Sequence, residues 1–305
     1  MKYLIGTDDS KFYLWQVLVQ INNFRKMGIE QDTYYVIVCK TNTPSEELIR
    51  IVNDPTLKCH FEVYIDDRMA MRYSSTLRLR GIKHFVDNNP WFEKETFMYL
   101  DPDVIFTKPF DWSEFEKGDT WYVSDTKSYL DTVYIKSKSE KLFHEMCDIV
   151  GVDPAIIEAQ DPHCGGAQYI MKNVPYDFWH KTEIDSENLF NHMRSTETIY
   201  HPEHPIQTWT ADMWAVLWNA LFFERKVEIA DELDFCWASD PMEKWNRKII
   251  FHDAGVVHQD GMRFAKGAYQ VSPFNKEIQV SETSASFNYV KEIRETEINF
   301  PQLLF

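Results

Sequence analysis

The sequence predicts an α/β fold with a mostly parallel central sheet and a smaller mixed second half. Three observations predict it. Short apolar runs alternate with segments of helical period through the first 110 residues, the pattern of βαβ units. The intervening helical segments are long enough to cross between parallel neighbours. No Pro/Gly/Ser-rich linker, repeat or low-complexity tract interrupts the 305 residues, which favours one continuous domain.

Taken in order, Lys2 to Gly6 reads as a short buried strand. Phe12, Leu14, Val17, Leu18, Ile21 and Phe24 follow at helical spacing, with Asp9 or Ser10 as N-cap. Tyr34 to Cys39 (YYVIVC) predicts a central strand, and Ser45 to Val52 a helix opened by Pro44 and Ser45. Phe61 to Ile65 predicts a strand, and Ser75 to Val86 a helix that stops before Asn88-Asn89-Pro90. Thr96 to Phe106 is the most apolar strand, broken only by Asp101-Pro102-Asp103. Beyond it, Trp121 to Ser124 and Thr132 to Ile135 predict strands, and Glu140 to Val150 and Phe178 to Met193 predict helices. Thr210 to Glu224 predicts an aromatic-rich helix and Ile249 to His252 a buried strand; after Gly261 the pattern weakens toward a wrapping tail.

Composition excludes several functions. With 32 basic and 48 acidic residues the formal net charge is −16, which repels polyanions and disfavours a broad phosphate-tracking surface. A chain that is 15% aromatic is not a disordered solvating chain. Cys39, Cys59, Cys147, Cys164 and Cys236 are scattered with no C-x-x-C, so reduced thiols are expected rather than a disulfide framework or zinc ribbon. The opening stretch reaches Asp8 and Asp9 after a few apolar positions, too soon for a signal peptide, and no run approaches the ~18 apolar residues of a membrane span. The expectation is a cytoplasmic setting (host cytoplasm if viral), without membrane association. G-x-x-x-x-G-K-[ST], G-x-G-x-x-G, G-x-S-x-G and H-E-x-x-H are all missing from the sequence, so kinases, dinucleotide oxidoreductases, α/β-hydrolases and zincins lose their usual marks.

The informative motif is Asp101-Pro102-Asp103. Two residues apart in extended chain, both carboxylates face one side, and Pro102 places the tripeptide at a strand end. Hard oxygen donors in that arrangement suit Mg²⁺ or Mn²⁺, ions that bind diphosphate oxygens. A solvated strand-end turn is the bland alternative. The flanking FMYL and VIF weigh against it, because charge between apolar runs is costly unless something binds it.

The segment MYLDPDVIFTKPF (Met98 to Phe110) resembles the D-x-D strand of GT-A nucleotide-sugar glycosyltransferases. Three further segments fall in that family's order: HCGGAQYIMKN (His163 to Asn173), QTWTADMWAVLWNAL (Gln207 to Leu221) and IIFHDAG (Ile249 to Gly255). Together they are most similar to plant hydroxyproline O-arabinosyltransferases and peptidyl-serine galactosyltransferases. The resemblance spans roughly Met1 to Gly267. It implies one GT-A domain over residues 1–270, with a nucleotide-binding half at 1–110, an acceptor half at 111–270 and a C-terminal tail at 271–305. It further implies a UDP-sugar donor, a divalent ion on Asp101, Asp103 and His252, and retention of anomeric configuration. The plant enzymes are membrane-anchored, so their acceptor does not carry over.

Other residues gain roles in that frame. Thr7, Asp8 and Asp9 follow the first strand, where a nucleotide sits in an α/β sheet, although an N-cap role alone explains one of the acids. Arg78 reaches the diphosphate while Arg80, too near to share its helical face, is solvated. Arg263 and Lys266 close over the diphosphate or form an ordinary solvated pair. Gly165 and Gly166 let backbone approach a ligand and Gln168 hydrogen-bonds a sugar hydroxyl, against a simple turn before a strand. Asp212 binds the donor sugar or, under inversion, acts as general base; as a helix N-terminal acid it needs no such role. Trp214 and Trp218 belong to the core. For the acceptor, a hydroxymethylated pyrimidine in viral DNA, receiving arabinose or a hexose, stands beside a hydroxyl on a protein or glycan. A non-catalytic nucleotide-sugar-binding module, and a nucleotidyltransferase with Asp253 as third acid, remain open.

Overall fold

The computed structural model of the chain describes residues 1–68 and 73–305. Its strands are β1 Lys2–Asp8, β2 Thr33–Cys39, β3 His60–Ile65, β4 Thr96–Leu100, β5 Val104–Phe106, β6 Trp121–Asp125, β7 Gly165–Lys172, β8 Val227–Ile229, β9 Phe235–Trp237 and β10 Ile250–His252. Its helices are α1 Lys11–Met27, α2 Glu46–Val52, α3 Thr76–Asn88, α4 Lys127–Leu130, α5 Thr132–Lys138, α6 Glu140–Val150, α7 Pro154–Gln160, α8 Tyr176–Thr196, α9 Ala211–Phe222, α10 Met242–Arg247 and α11 Ser286–Asn299. The class is the expected one, α/β, with a mostly parallel central sheet of seven strands and a separate sheet of three. Among the described residues, no helix is long and apolar enough to cross a membrane.

Two compact units divide the chain, and neither is contiguous in sequence. The first comprises Lys2–Asp66, Leu100–Trp112 and Asp234–Phe305. In it β1, β2 and β3 run parallel, with Gly6 opposite Val36 and Val36 opposite Glu62. The small sheet pairs β10 antiparallel to β5 and parallel to β9. Helix α1 is buried from Leu14 through Phe24 and closes at Gly28, whose φ of 76° is the left-handed conformation glycine adopts freely. It packs against β5 and α11, so the C-terminal stretch contributes a helix to this unit.

The second unit comprises Met1, Asp67–Tyr99 and Ser113–Leu233. Its strands pair as β4 with β7 and β7 with β6, both antiparallel, and β6 with β8, parallel. Helix α8 packs on α3 and α9 over a core that fully buries Trp121, Trp179, Trp214 and Trp218. Each such side chain contributes on the order of 2–3 kcal/mol by leaving water.

Two expected elements differ. Thr132 to Ile135 is not a strand but the start of α5, despite its β-branched residues. Asp131 caps that helix by accepting the Tyr134 N–H at 2.7 Å, and the Thr132 N–H is taken by Asp161 at 3.0 Å. The cap outweighs intrinsic propensity. Thr96 to Phe106 is also not one strand: it turns at Asp101–Asp103, and its two halves join different sheets.

Candidate functional site

In the first unit the turn between β4 and β5 carries the acidic pair, and β10 brings His252 opposite Val104. His252 Nε2 lies 3.3 Å from Asp103 Oδ1 and 3.8 Å from Asp101 Oδ2. One potential ligand atom from each of the three residues lies within 4.8 Å of the others. Asp103 and His252 are buried, whereas Asp101 is partly exposed. The imidazole stacks parallel to Trp237, 6.0 Å between centroids at 6°. Packing thus fixes the ring where a ligand nitrogen needs to be.

Charge in this cluster is balanced from within. Lys266, half-buried, forms an ion pair with Asp103. Burial alone would raise the Asp103 carboxyl, but Lys266 and His252 outweigh it and hold the group below the usual carboxylate range. Burial likewise opposes the Lys266 ammonium, and Asp103 with Asp253 outweighs it and raises that group. Asp253 donates its backbone N–H to the Asp103 carbonyl at 3.0 Å. Its side chain is buried with Oδ2 unpartnered, and burial, reinforced by Asp103 against the opposing Lys266, pushes its carboxyl well above the ordinary value.

This has a pH signature. Folded Asp253 keeps its proton to higher pH than the unfolded chain does, so its destabilising effect is absent near the unfolded carboxylate pKa and grows as pH rises. Asp253→Asn is expected to match the wild-type urea midpoint at about pH 4 and to exceed it at about pH 8. Equal midpoints at both pH values would contradict a protonated Asp253.

The turn itself is held by residues that sequence reasoning missed. Gln20 on α1, fully buried, donates through Nε2 to the Asp101 carbonyl at 2.9 Å and the Val104 carbonyl at 2.7 Å. One helical turn on, Asn23 both donates to Phe106 O at 3.0 Å and accepts the Phe106 N–H at 2.9 Å. The available signal was amides inside an otherwise apolar helix, where a buried polar group demands a partner. Gln20→Leu leaves both carbonyls without that donor, and we expect Mn²⁺ affinity to fall about tenfold to a hundredfold in a direct titration. An unchanged affinity would mean that the turn holds itself.

The remaining predicted residues of this unit have visible partners. Asp8 accepts the Ser10 N–H at 2.8 Å at the start of α1 and pairs with Lys40. Asp9 accepts the Lys40 and Ser45 N–H groups, both at 3.2 Å. Thr7 is buried and its hydroxyl has no partner. Arg263 is exposed and binds Asp260, Nε to Oδ2 at 2.8 Å, so it is not gathered with Lys266 at the acidic pair.

The second unit gathers a separate cluster. Asp212, near the start of α9 and buried, is paired with Arg78 of α3 and accepts a hydrogen bond from the Tyr73 hydroxyl. Arg78 also lies over the Tyr99 ring, 5.8 Å from its centroid. Arg80 turns instead to Asp67 and Glu183. Gly165 and Gly166 lie in β7 itself. A Cβ at Gly165 would meet Ser124 O at 2.3 Å, and one at Gly166 would meet the Met213 side chain at 3.0 Å. The close approach that Gly165 permits is therefore between strands. Next to them Ala167 has a φ of 64°, a left-handed conformation that costs roughly 1–2 kcal/mol for a residue with a Cβ. Gln168, fully buried, donates its backbone N–H to the Ser124 hydroxyl at 3.3 Å.

No protein-family profile and no curated protein matches the chain. Solved structures do. An active-site variant of LgtC is similar at 10% identity over 97% of this chain and 96% of that one, with a TM-score of 0.50. The glycosyltransferase GlyE of Streptococcus pneumoniae TIGR4 is similar at 10% identity over 100% of this chain and 66% of that one, also with a TM-score of 0.50. The bifunctional glycosyltransferase WbbM matches at 10% identity and a TM-score of 0.49; this chain spans 51% of its length. The chain has the GT-A fold of these glycosyltransferases.

Proposed function

We propose that the chain is a metal-dependent glycosyltransferase that moves a sugar, arabinose or a hexose, from a UDP-sugar to a hydroxyl acceptor. The observation that carries this reading is the convergence of Asp101, Asp103 and His252 on one point. Two carboxylates and an imidazole fit Mn²⁺, and less closely Mg²⁺, which prefers oxygen alone. When bound there, the ion supplies charge neutralisation for the departing diphosphate. Lys266 adds a cation at the same place. Asp101 is more open than Asp103.

Retention is the stereochemical course proposed. The acceptor oxygen attacks the anomeric carbon on the face that the phosphate leaves, the C1–O bond to phosphate breaks, and a phosphate oxygen takes the acceptor proton. Asp212 supports this over inversion, because its oxygens are engaged by Arg78 and Tyr73. A carboxylate so held is an orienting group. A nucleotidyltransferase needs a third acid at the metals, and among the described residues the gathered group is Asp101, Asp103 and His252. The testing experiment is UDP release across several nucleotide sugars, each with simple sugars, hydroxyproline peptides or hydroxymethylated DNA as acceptor. Turnover with a sugar or peptide supports the reading, and product NMR reports the anomeric outcome. No UDP release with any pair, or consumption of a nucleoside triphosphate instead, would overturn it.

A further inference from the structure

Trp209 is 59% exposed, although the described residues fully bury Trp15, Trp121, Trp179, Trp214 and Trp218. Its backbone is nonetheless pinned. The Trp209 carbonyl accepts the Tyr73 hydroxyl at 2.6 Å, Thr210 Oγ1 donates to the Gln207 carbonyl at 2.6 Å, and the Gln207 N–H is taken by the Tyr134 hydroxyl at 3.0 Å. Beside the indole stands half-buried Tyr129, 6.3 Å between centroids and inclined by 30°. An exposed indole beside a partly exposed phenol ring is thus held on hydrogen-bonded backbone, with Trp209 three residues before Asp212. The same Tyr73 hydroxyl contacts both the Trp209 carbonyl and the Asp212 carboxylate.

We propose that Trp209 and Tyr129 form a carbohydrate-binding subsite within the second unit and take an uncharged carbohydrate ring; the choice of an acceptor sugar as its occupant rests on the transferase reading above. A pyranose turns C–H bonds toward a flat aromatic face and keeps its hydroxyls at the rim. Preorganised aromatic faces suit that shape because little freedom is lost on binding. Polar residues adjoin them in sequence, with exposed Gln207 two residues before Trp209 and the Asp125–Lys127 ion pair shortly before Tyr129. A nucleobase also stacks on such rings, but a chain of net charge −16 repels a polyanion.

The test is a titration of the ¹⁵N-tryptophan-labelled full chain with lactose, maltose and cellobiose, followed by indole N–H signals. The Trp209 signal is identified by its loss in Trp209→Phe. We expect it to shift saturably with at least one of the three sugars. Affinity, read by isothermal titration calorimetry because the variants lack that signal, should fall roughly tenfold or more in Trp209→Ala and recover most of the way in Trp209→Tyr. No shift with any sugar at tens of millimolar, or tighter binding of a 5-hydroxymethylcytosine oligonucleotide to the same ring, would overturn the assignment. UDP release by the wild-type chain separates the two readings. Turnover without sugar binding at Trp209 removes only the platform, whereas sugar binding without turnover removes the transferase.

Discussion

Replacing Asp101 and Asp103 together by asparagine is expected to lower UDP release by about a thousandfold or more, equivalent to roughly 4 kcal/mol of transition-state stabilisation. The two positions differ in what else they do. Asp103 is buried against Lys266 and receives an N–H from Asp253 on its carbonyl, so losing its charge strands a half-buried ammonium. Asp101 is the more open. Asp101→Asn alone is therefore expected to remove most activity with little change in the urea midpoint, whereas Asp103→Asn lowers both. Unaltered UDP release in the double variant would exclude the acidic pair from the chemistry.

Arg78→Ala is expected to cost about 3 kcal/mol of stability, because it leaves Asp212 as a buried carboxylate without its cation. The Tyr73 hydrogen bond remains and keeps the loss from being larger. Replacing both partners, Arg78→Leu with Asp212→Leu, is expected to recover much of that stability, since an apolar pair removes the stranded charge. The check is urea unfolding of the three proteins at equal slope. An Arg78→Ala midpoint equal to that of the wild type would mean that Asp212 does not depend on the ion pair.

Much of the fold was legible because strands in a mostly parallel sheet are continuous apolar runs and their helices have a different period. YYVIVC and EKLFHEMCDIV show this: the first is β2 within a residue, the second is α6. The failures lie where local pattern competes with contacts made elsewhere. TVYI has strand composition, yet Asp131 and the distant Asp161 make it a helix. The apolar run from Thr96 to Phe106 does not disclose that its halves choose different partners.

At the candidate site the acidic pair was legible, because charge inside apolar runs calls for an explanation, whereas His252 was reached through the resemblance carried by IIFHDAG. Gln20 was not, since its partners lie 81 and 84 residues away in sequence. Arg263 carried its own answer three residues upstream in Asp260, an exposed neighbour of opposite sign.

The most direct measurement is a Mn²⁺ titration of the full chain followed by electron paramagnetic resonance, with and without UDP. One saturable site is expected, which UDP tightens and which Asp101→Asn with Asp103→Asn removes. Mn²⁺ that stays free at millimolar protein in the presence of UDP, or binding that survives the double substitution, would contradict it.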